Sequence, residues 1–315
     1  MHVAAAAVEG AQLVVFPETW LTGYPAWIFG LAGWDDAEAR HWHGVLVSQS
    51  PSIEGPDLSP IREAAARHQV IVVLGLNERG RSGSGTLYNS LLTIGSDGRT
   101  LGVHRKLTPT HTERIAWAPA TDGSGLQVYQ TPLGRLGGLV CWEHWQPLLR
   151  QAMHDQGEQL HVAAWPDMSE MHEIASRCYA FEGRCFVLAA AQFLTSDDVP
   201  TQIRDAYRAG VGPTTPAEGV WFPGGSSVAG PDGEWLVAPL VGTAGTVHVS
   251  INLDQTLDYK LDLDVAGHYA RPDVLTMTVD RRSRRQVTWL DDDDAVASPT
   301  LMSSAHPGGE GALLG

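Results

Sequence analysis

The sequence predicts one α/β domain followed by a tail. Strand-like apolar runs alternate along the chain with stretches of helical character. One such run, residues 136–140, ends on Cys141, and Pro147 then falls in the first turn of a predicted helix. Because open α/β sheets bind ligands where their strands end, this turn is the first candidate for a functional site. We also expect the start of this helix to stabilise a thiolate at Cys141.

The remaining elements follow from the same patterns. Short apolar runs bounded by turn residues predict strands, and longer runs with helical periodicity predict helices. The predicted strands are residues 13–16, 70–76, 87–94, 100–104, 160–165, 186–192, 234–240 and 245–251. The predicted helices are residues 59–68, 145–156 and 170–182, and residues 1–10 have the pattern of a helix end.

Composition predicts a water-soluble enzyme. The chain has 315 residues with 43% hydrophobic content, which suffices for a large core. A net charge of -15 argues against nucleic acid or an anionic membrane as partner. We find no apolar run of membrane-spanning length and no signal peptide. Three cysteines without framework spacing favour reduced thiols and a cytoplasmic location, with Cys178 and Cys185 in the core.

The predicted domain covers residues 1–290, and residues 291–315 are predicted to be a disordered tail. The tail begins with the acidic run 291–294 and continues with Ser, Gly and Pro. Such composition buries too little apolar surface to fold. We interpret the acidic run as solvated and not as a metal site.

Two further segments place reactive side chains at predicted strand ends. Glu18 follows the strand at residues 13–16, and partial burial there raises a carboxyl pKa toward the range of a general base. Lys106 ends the second strand of a predicted hairpin, and Glu113 lies in the loop that follows. A lysine there can stabilise a developing anion, and Glu113 can hold the lysine or the base in place.

These segments together resemble the nitrilase family. Residues 16–21 (FPETWL) are similar to its first-glutamate motif, residues 105–114 (RKLTPTHTER) to its lysine motif, and residues 141–148 (CWEHWQPL) to its nucleophile motif. Residues 159–166 and 267–274 resemble two later family motifs. All five occur in the family's order, and the resemblance extends from residue 1 to about residue 282.

The resemblance implies a four-layer α-β-β-α sandwich that lacks its first strand. Family members begin with a strand and helical turns before the segment that aligns with Met1, so roughly 25 residues are expected to be absent here. A missing strand leaves unpaired backbone groups and an uncovered core. The resemblance also implies homodimers that extend into larger spirals.

The implied activity is hydrolysis of a nitrile by Glu18, Lys106 and Cys141, with Glu113 as the family's second carboxylate and no cofactor. A nitrile carbon is a weak electrophile, and a thiolate is the strongest protein nucleophile at neutral pH. The Glu18 carboxylate is expected to accept the thiol proton. The Lys106 ammonium and the Trp142 backbone N–H are expected to stabilise the charged intermediates.

Aromatic side chains near these groups are the candidates for contacting a small nitrile. They are Tyr24, Trp142, His144 and Trp165. His144 also invites a Cys-His pair, but residues so close across a strand-helix turn point apart, so Glu18 is favoured as the base and His144 as a residue that packs or orients the loop. The His41-Trp42-His43 spacing lacks the further ligands that zinc needs, so no metal site is predicted.

Other activities are compatible with the same motifs. Amidases, N-carbamoyl hydrolases and cyanide-degrading enzymes belong to the same superfamily as the nitrilases that this sequence resembles. A catalytically dead subunit of a family oligomer is also possible, because the expected loss of the first strand would impair stability. These alternatives differ in their substrates and in the reactivity of the Cys141 thiol.

Overall fold

The computed structural model describes residues 2–211 and 219–282, and these form two β-sheets flanked by helices. The strands are β1 (Leu13–Val15), β2 (Ile71–Arg79), β3 (Leu87–Ile94), β4 (Thr100–Arg105), β5 (Tyr129–Thr131), β6 (Gly134–Val140), β7 (Leu160–Ala164), β8 (Phe186–Ala190), β9 (Phe193–Thr195), β10 (Val220–Ala229) and β11 (Trp235–Val241). The helices are α1 (His2–Val8), α2 (Ala37–Gln49), α3 (Ser59–His68), α4 (Pro147–His154), α5 (Glu170–Gly183), α6 (Arg204–Val211) and α7 (Gln255–Tyr259).

The first sheet has the strand order β1-β2-β3-β4, and the second has the order β11-β10-β8-β7-β6-β5 with β9 paired to β10. In the first sheet β1 runs parallel to β2, and β2, β3 and β4 are antiparallel. In the second sheet β6, β7 and β8 are parallel. Their carboxyl ends therefore meet at one edge, where Cys141 follows β6 and Trp165 follows β7.

The two sheets pack face to face between helical layers. Strand β2 is buried on both faces. Val72 and Leu74 pack on one side with Val3 of α1 and Ala65 of α3. The alternate residue Val73 packs on the other side with the second sheet, whose far face is covered by α4 and α5. This is the four-layer α-β-β-α arrangement that the resemblance implied.

Most predicted elements are confirmed with small shifts at their ends, and two expectations are wrong. Residues 245–251 form no strand, because an alternating apolar pattern becomes a strand only with a hydrogen-bonding partner and the described residues offer none. They line a groove of ≈ 890 Å³ beside β1, away from Cys141. Cys178 is exposed and not in the core, because it lies on the outer face of α5; Cys185 is buried as expected.

The tail prediction concerns residues outside the described ranges. Residues 291–315, with their acidic run, lie outside the described residues, so the boundary near residue 290 stays a prediction. Within residues 2–211 and 219–282, no helix combines the length and the apolar character needed to cross a membrane.

Gly75 allows a test of how closely strand β2 packs against the segment that carries Glu18. A β-carbon at Gly75 would overlap the backbone of Pro17 and Thr19, which flank Glu18. We therefore expect Gly75→Ala to lower the free energy of unfolding by about 1–3 kcal/mol, as for an overpacked core, and to displace Glu18. Urea denaturation measures the first effect.

Gly44 of α2 serves as the matched control for this substitution. A β-carbon there meets no heavy atom within 4 Å. Gly44→Ala should raise stability by up to ~1 kcal/mol through helix propensity. If Gly75→Ala proves as stable as the wild type, the backbone at residue 75 does not lie as close to Pro17 and Thr19 as described here.

Candidate active site

The site forms where three strands end. Glu18 lies three residues beyond β1, Lys106 follows β4 directly, and Cys141 follows β6 directly. One carboxylate oxygen each from Glu18 and Glu113 and the Cys141 sulfur lie within 4.8 Å of one another. All four side chains are buried. The structure thus brings together every side chain that the sequence proposed for catalysis.

The Lys106 ammonium lies between the two carboxylates. Its Nζ donates to Glu18 Oε1 at 2.9 Å and to Glu113 Oε2 at 2.8 Å. Burial alone would lower the pKa of Lys106, but the charges of Glu18 and Glu113 help to hold that pKa well above its usual range. The lysine is therefore a permanent cation at the centre of the site.

The two carboxylate oxygens of Glu18 have different surroundings. Oε1 accepts from Lys106 and from Asn89 Nδ2, the latter at 2.6 Å. Oε2 is buried and has no hydrogen-bond partner among the described residues. Burial raises the pKa of Glu18 to about 7, although the charge of Lys106 opposes the rise. A carboxylate with one unpartnered oxygen and a pKa near neutrality has the properties of a general base.

Glu113 is fixed by a turn and by an aromatic hydroxyl. It lies in the 3₁₀ helix His111–Ile115, where Oε2 accepts the backbone N–H of Thr110 at 2.6 Å. The Tyr24 hydroxyl donates to Oε1 at 2.8 Å. Both oxygens are thus engaged by donors from the protein, so Glu113 is suited to holding Lys106 in place and not to moving protons.

Cys141 lies at a strained point of the backbone. Its φ of 54° is in the left-handed region, which non-glycine residues adopt rarely. Burial, and then the charge of Glu18, raise the pKa of its thiol well above the usual range, against the attraction of Lys106. Cys141 is therefore a thiol at rest and needs a base.

The expectation of a thiolate stabilised by a helix start is wrong. A short 3₁₀ helix, Cys141–Trp145, follows β6, and α4 begins only at Pro147. The α-helical dipole falls off within its first turn, so it acts weakly at that distance. Burial of the sulfur raises the pKa of the Cys141 thiol, and this effect is larger than any stabilisation of the thiolate by the helix.

The proposed substrate-contacting residues differ in their exposure. Trp142 is 53% exposed, and its indole N–H donates to His172 Nε2 at 3.1 Å. Tyr24 and Trp165 are buried beside the site, and Trp165 Nε1 donates to Ser176. Both ring nitrogens of His144 are hydrogen-bonded within the protein. Direct contact of these four residues with substrate stays a prediction.

Sequence reasoning missed three residues that hold the site. Asn89 donates to Glu18, and Gln192 Nε2 donates to the backbone carbonyl of Glu18. Glu143 accepts the backbone N–H groups of Leu107 and Val140 at 2.8 and 2.9 Å. Asn89 is a polar amide in the middle of the buried strand β3, and a buried amide needs hydrogen-bond partners, which is the sequence signal that could have found it.

Glu143 joins the lysine segment to the nucleophile segment. Its Oε2 also pairs with His104 Nε2 at 2.7 Å. Burial opposes ionisation, but the charge of His104 and the bonds from His104, Leu107 and Val140 lower the pKa of Glu143. The carboxylate therefore stays charged and joins the ends of β4 and β6.

The ligand atoms of Glu18, Glu113 and Cys141 are close enough to hold a metal ion in principle. However, the Lys106 ammonium already lies between the two carboxylates and pairs with one oxygen of each. The arrangement therefore supports proton transfer next to a nucleophile.

Residues 1–260 match the family model described as carbon-nitrogen hydrolase. This chain belongs to the carbon-nitrogen hydrolase family. As a member of that family it is a hydrolase that acts on carbon–nitrogen bonds. The match includes Glu18, Lys106, Glu113 and Cys141, whose geometry is described above.

Relatives in sequence cover most of this carbon-nitrogen hydrolase. An arylacetonitrilase of Aspergillus kawachii (strain NBRC 4308) is 36% identical over 299 residues, which cover 90% of this chain and 86% of the relative. A bifunctional nitrilase/nitrile hydratase of Lupinus angustifolius is 36% identical over 289 residues, covering 91% and 81%. A nitrilase 2 of an unknown prokaryotic organism is 39% identical over 293 residues, covering 90% and 87%.

Solved structures support the fold. A carbon-nitrogen hydrolase from Helicobacter pylori G27 superposes with a TM-score of 0.59 at 20% identity, covering 83% of this chain and 86% of that one. An amidase from Nesterenkonia sp. AN1 superposes with a TM-score of 0.56 at 20% identity, covering 82% and 87%. At this identity the likeness concerns the fold alone.

The proposed base can be tested without any substrate. We expect the rate at which iodoacetamide alkylates Cys141 to fall as the pH drops through about 7, because Glu18 accepts the thiol proton only when it is ionised. Asn89→Leu removes a hydrogen bond that lowers the pKa of Glu18. The pH at which the alkylation rate falls should therefore rise by about one pH unit.

The measurement uses a Cys178→Ala background, because Cys178 is exposed and would react as well. Glu18→Gln is the control that removes the base. If the alkylation rate instead rises only above about pH 8, and does so equally with and without Glu18, the thiol loses its proton to solvent and not to Glu18.

Proposed function

We propose that the enzyme is a nitrilase that converts an organic nitrile to its carboxylic acid and ammonia. The observation that carries the proposal is a buried cluster of Glu18, Lys106 and Cys141, in which one Glu18 oxygen has no hydrogen-bond partner within the part of the chain that the structure describes. The curated names of relatives that share more than a third of their sequence with this chain support the substrate class.

The first half of the proposed reaction forms a thioimidate. Glu18 takes the proton of Cys141, the sulfur attacks the nitrile carbon, and the proton passes to the nitrile nitrogen. A new carbon–sulfur bond replaces one carbon–nitrogen π bond. Lys106 and the Trp142 backbone N–H stabilise the developing negative charge, and the dry site strengthens both interactions.

The second half consumes two water molecules. Glu18 activates the first water, which adds to the thioimidate carbon; ammonia then leaves and a thioester remains. A second water cleaves the thioester, releases the acid and returns the proton to Cys141. If sulfur leaves before ammonia, the product is the amide, which uses one water. The name of the Lupinus relative includes nitrile hydratase, so both products should be measured.

Nitrile and amide substrates should be assayed side by side. We expect the enzyme to release ammonia from phenylacetonitrile or an aliphatic nitrile faster than from the matching amide. Cys141→Ala should leave less than about 1% of this activity, because loss of a nucleophile costs several orders of magnitude. Cys178→Ala, which removes an exposed thiol, should retain it.

Two outcomes would overturn this proposal. Turnover of amides alone would make the enzyme an amidase. No turnover, with no pH-dependent alkylation of Cys141, would indicate a catalytically dead subunit. Chromatographic detection of acid, amide and ammonia distinguishes all cases in one experiment.

We further propose that the enzyme is a homodimer that joins through the outer face of α5. Met171, Ile174 and Phe181 are 54%, 45% and 47% exposed, and their spacing places them on one helical stripe with Cys178. Contiguous exposed apolar surface marks an interaction site. Trp142, at the mouth of the site, contacts the same helix through His172.

Light scattering tests this interface. Ile174→Glu should shift the enzyme to monomers, because a carboxylate would be desolvated between two apolar faces. Leu261→Glu is the matched control, since Leu261 is 86% exposed and lies outside α5. A truncation that ends at Leu290 should leave the dimer intact. A wild-type enzyme that is monomeric and active would refute the proposal.

The compartment stays a prediction. The thiols of Cys141, Cys178 and Cys185 are free in the structure. Free thiols without disulfides are typical of proteins in reducing compartments, and we therefore propose the cytoplasm.

A further inference from the structure

A chain of buried polar side chains leads from the Cys141 carbonyl oxygen into the core. His144 Nδ1 lies 2.6 Å from that oxygen, and His144 Nε2 lies 2.9 Å from His161 Nε2. His161 Nδ1 lies 2.8 Å from Glu158 Oε1, and the Tyr179 hydroxyl donates to Glu158 Oε2 at 2.6 Å. The proposed mechanism uses none of these four side chains.

The carbonyl oxygen fixes the direction of the first hydrogen bond in this chain. A carbonyl only accepts, so His144 carries a proton on Nδ1. Burial holds the pKa of His144 well below its usual range, so the ring is neutral and presents a lone pair at Nε2. His161 then donates from Nε2, and one further proton is shared between His161 Nδ1 and Glu158 Oε1. Every bond is satisfied in this arrangement, and the net charge of the chain is zero.

The surroundings favour this neutral arrangement. Burial, and then the proximity of His161, hold the pKa of His144 well below its usual range. Burial raises the pKa of Glu158 to about 8. Aromatic rings also hold the two imidazoles in place. The ring centroids of Tyr179 and His161 are 3.7 Å apart in a stacked arrangement, and those of Trp165 and His144 are 4.8 Å apart. The histidines are thus held as neutral donors of defined orientation.

The Cys141 carbonyl belongs to the same planar peptide group as the Trp142 N–H. In the proposed mechanism that N–H stabilises the charged intermediates. We propose that His144 is a positioning residue: by donating to the Cys141 oxygen, with His161 and Glu158 behind it, His144 fixes and polarises the peptide group whose N–H binds the developing anion. This inference rests on the proposed function of the same site.

Two physical effects follow from that hydrogen bond. It opposes rotation of a peptide group that follows a residue in the left-handed region, where the backbone is strained. It also draws electron density toward the carbonyl oxygen, which makes the N–H of the same peptide a stronger donor. Both effects act on stabilisation of the anion and leave the thiol and its base unchanged.

His144 itself is poorly placed to be the base. Its Nδ1 proton is committed to the Cys141 carbonyl, and its Nε2 lone pair accepts from His161. Neither nitrogen is available to the Cys141 sulfur. The alternative of a Cys-His pair, raised by the spacing in the sequence, is therefore disfavoured by the geometry.

The test compares two substitutions of His144. His144→Asn places an amide nitrogen near the position of Nδ1 and can still donate to Cys141. His144→Phe keeps a planar ring but has no donor. We expect His144→Phe to lower kcat by about 10- to 100-fold, a part of what outright loss of an oxyanion donor costs, and His144→Asn to stay within about threefold of the wild type.

Two probes separate positioning from a merely structural effect. Phenylacetaldehyde adds to the Cys141 thiol and forms a thiohemiacetal whose oxygen occupies the anion position. Its affinity should fall in His144→Phe by the same factor as kcat. Alkylation by iodoacetamide displaces iodide and creates no oxyanion, so its rate should change less than about twofold. Both are measured in the Cys178→Ala background.

A third variant tests the neutral chain. Glu158→Gln can still donate to His161 and accept from Tyr179, so it should keep the aldehyde affinity of the wild type. Glu158→Leu leaves His161 without its carboxyl partner and should weaken aldehyde binding less than His144→Phe does, because His144 can still donate to Cys141. Thermal unfolding of each variant shows that the protein under test is folded.

Several results would overturn the inference. If alkylation slows as much as aldehyde binding in His144→Phe, or if that variant fails to fold while His144→Asn binds aldehyde poorly, then His144 acts on the fold and not on the oxyanion site. If Glu158→Gln loses aldehyde affinity, a charged chain is needed. Because neither probe requires nitrile turnover, a wild type that binds aldehyde but hydrolyses no nitrile would refute the proposed function alone.

Discussion

The ion pairs of the buried Lys106 ammonium determine how the rest of this structure is arranged. A charge removed from water must be paired, and removing one partner of a buried pair leaves an uncompensated charge that costs about 3–5 kcal/mol. Glu18 and Glu113 supply the partners from two distant segments. The ends of β1 and β4 and the turn at His111–Ile115 are therefore held within hydrogen-bonding distance of one point. The chemistry and the local fold depend on the same contacts.

A third buried carboxylate, Glu143, carries this constraint into the other sheet. Glu143 follows the nucleophile by two residues, yet it accepts from Leu107, the residue after the lysine. The position of Lys106 relative to Cys141 is thus fixed by one side chain that bonds to the backbone next to both. Because the carboxylate stays ionised, these bonds are charge-assisted and stronger than neutral ones. The positions of Glu18, Lys106 and Cys141 relative to one another therefore follow from the contacts of three buried carboxylates.

Sequence patterns predicted the elements whose residues are buried and locally consistent. The helix Ser59–His68 and the strand Leu87–Ile94 have their predicted bounds, and each proposed catalytic residue lies at a strand end or in the loop beyond. Most of the failures have one physical cause: they depend on partners that are distant in sequence. Residues 245–251 have a strand pattern but no partner strand, and the outward direction of Cys178 follows from which face of α5 meets the sheet. Asn89 acquires its role only when β3 lies beside Glu18.

The site separates charged from neutral hydrogen bonds, and this separation bears on how the thiol is controlled. On one side of Cys141 lie an ammonium and two carboxylates; behind its carbonyl lies the chain that begins at His144. If that chain carried a positive charge, it would lower the pKa of the thiol and favour a resting thiolate, which reacts with many electrophiles and oxidants. A neutral chain can instead fix the peptide group while the thiol stays protonated. Proton removal then depends on Glu18, whose pKa of about 7 allows transfer in either direction at neutral pH. In the proposed mechanism, activation of the nucleophile acts on the sulfur of Cys141, whereas His144 acts on its backbone carbonyl, so each contribution can be altered by substitution without the other.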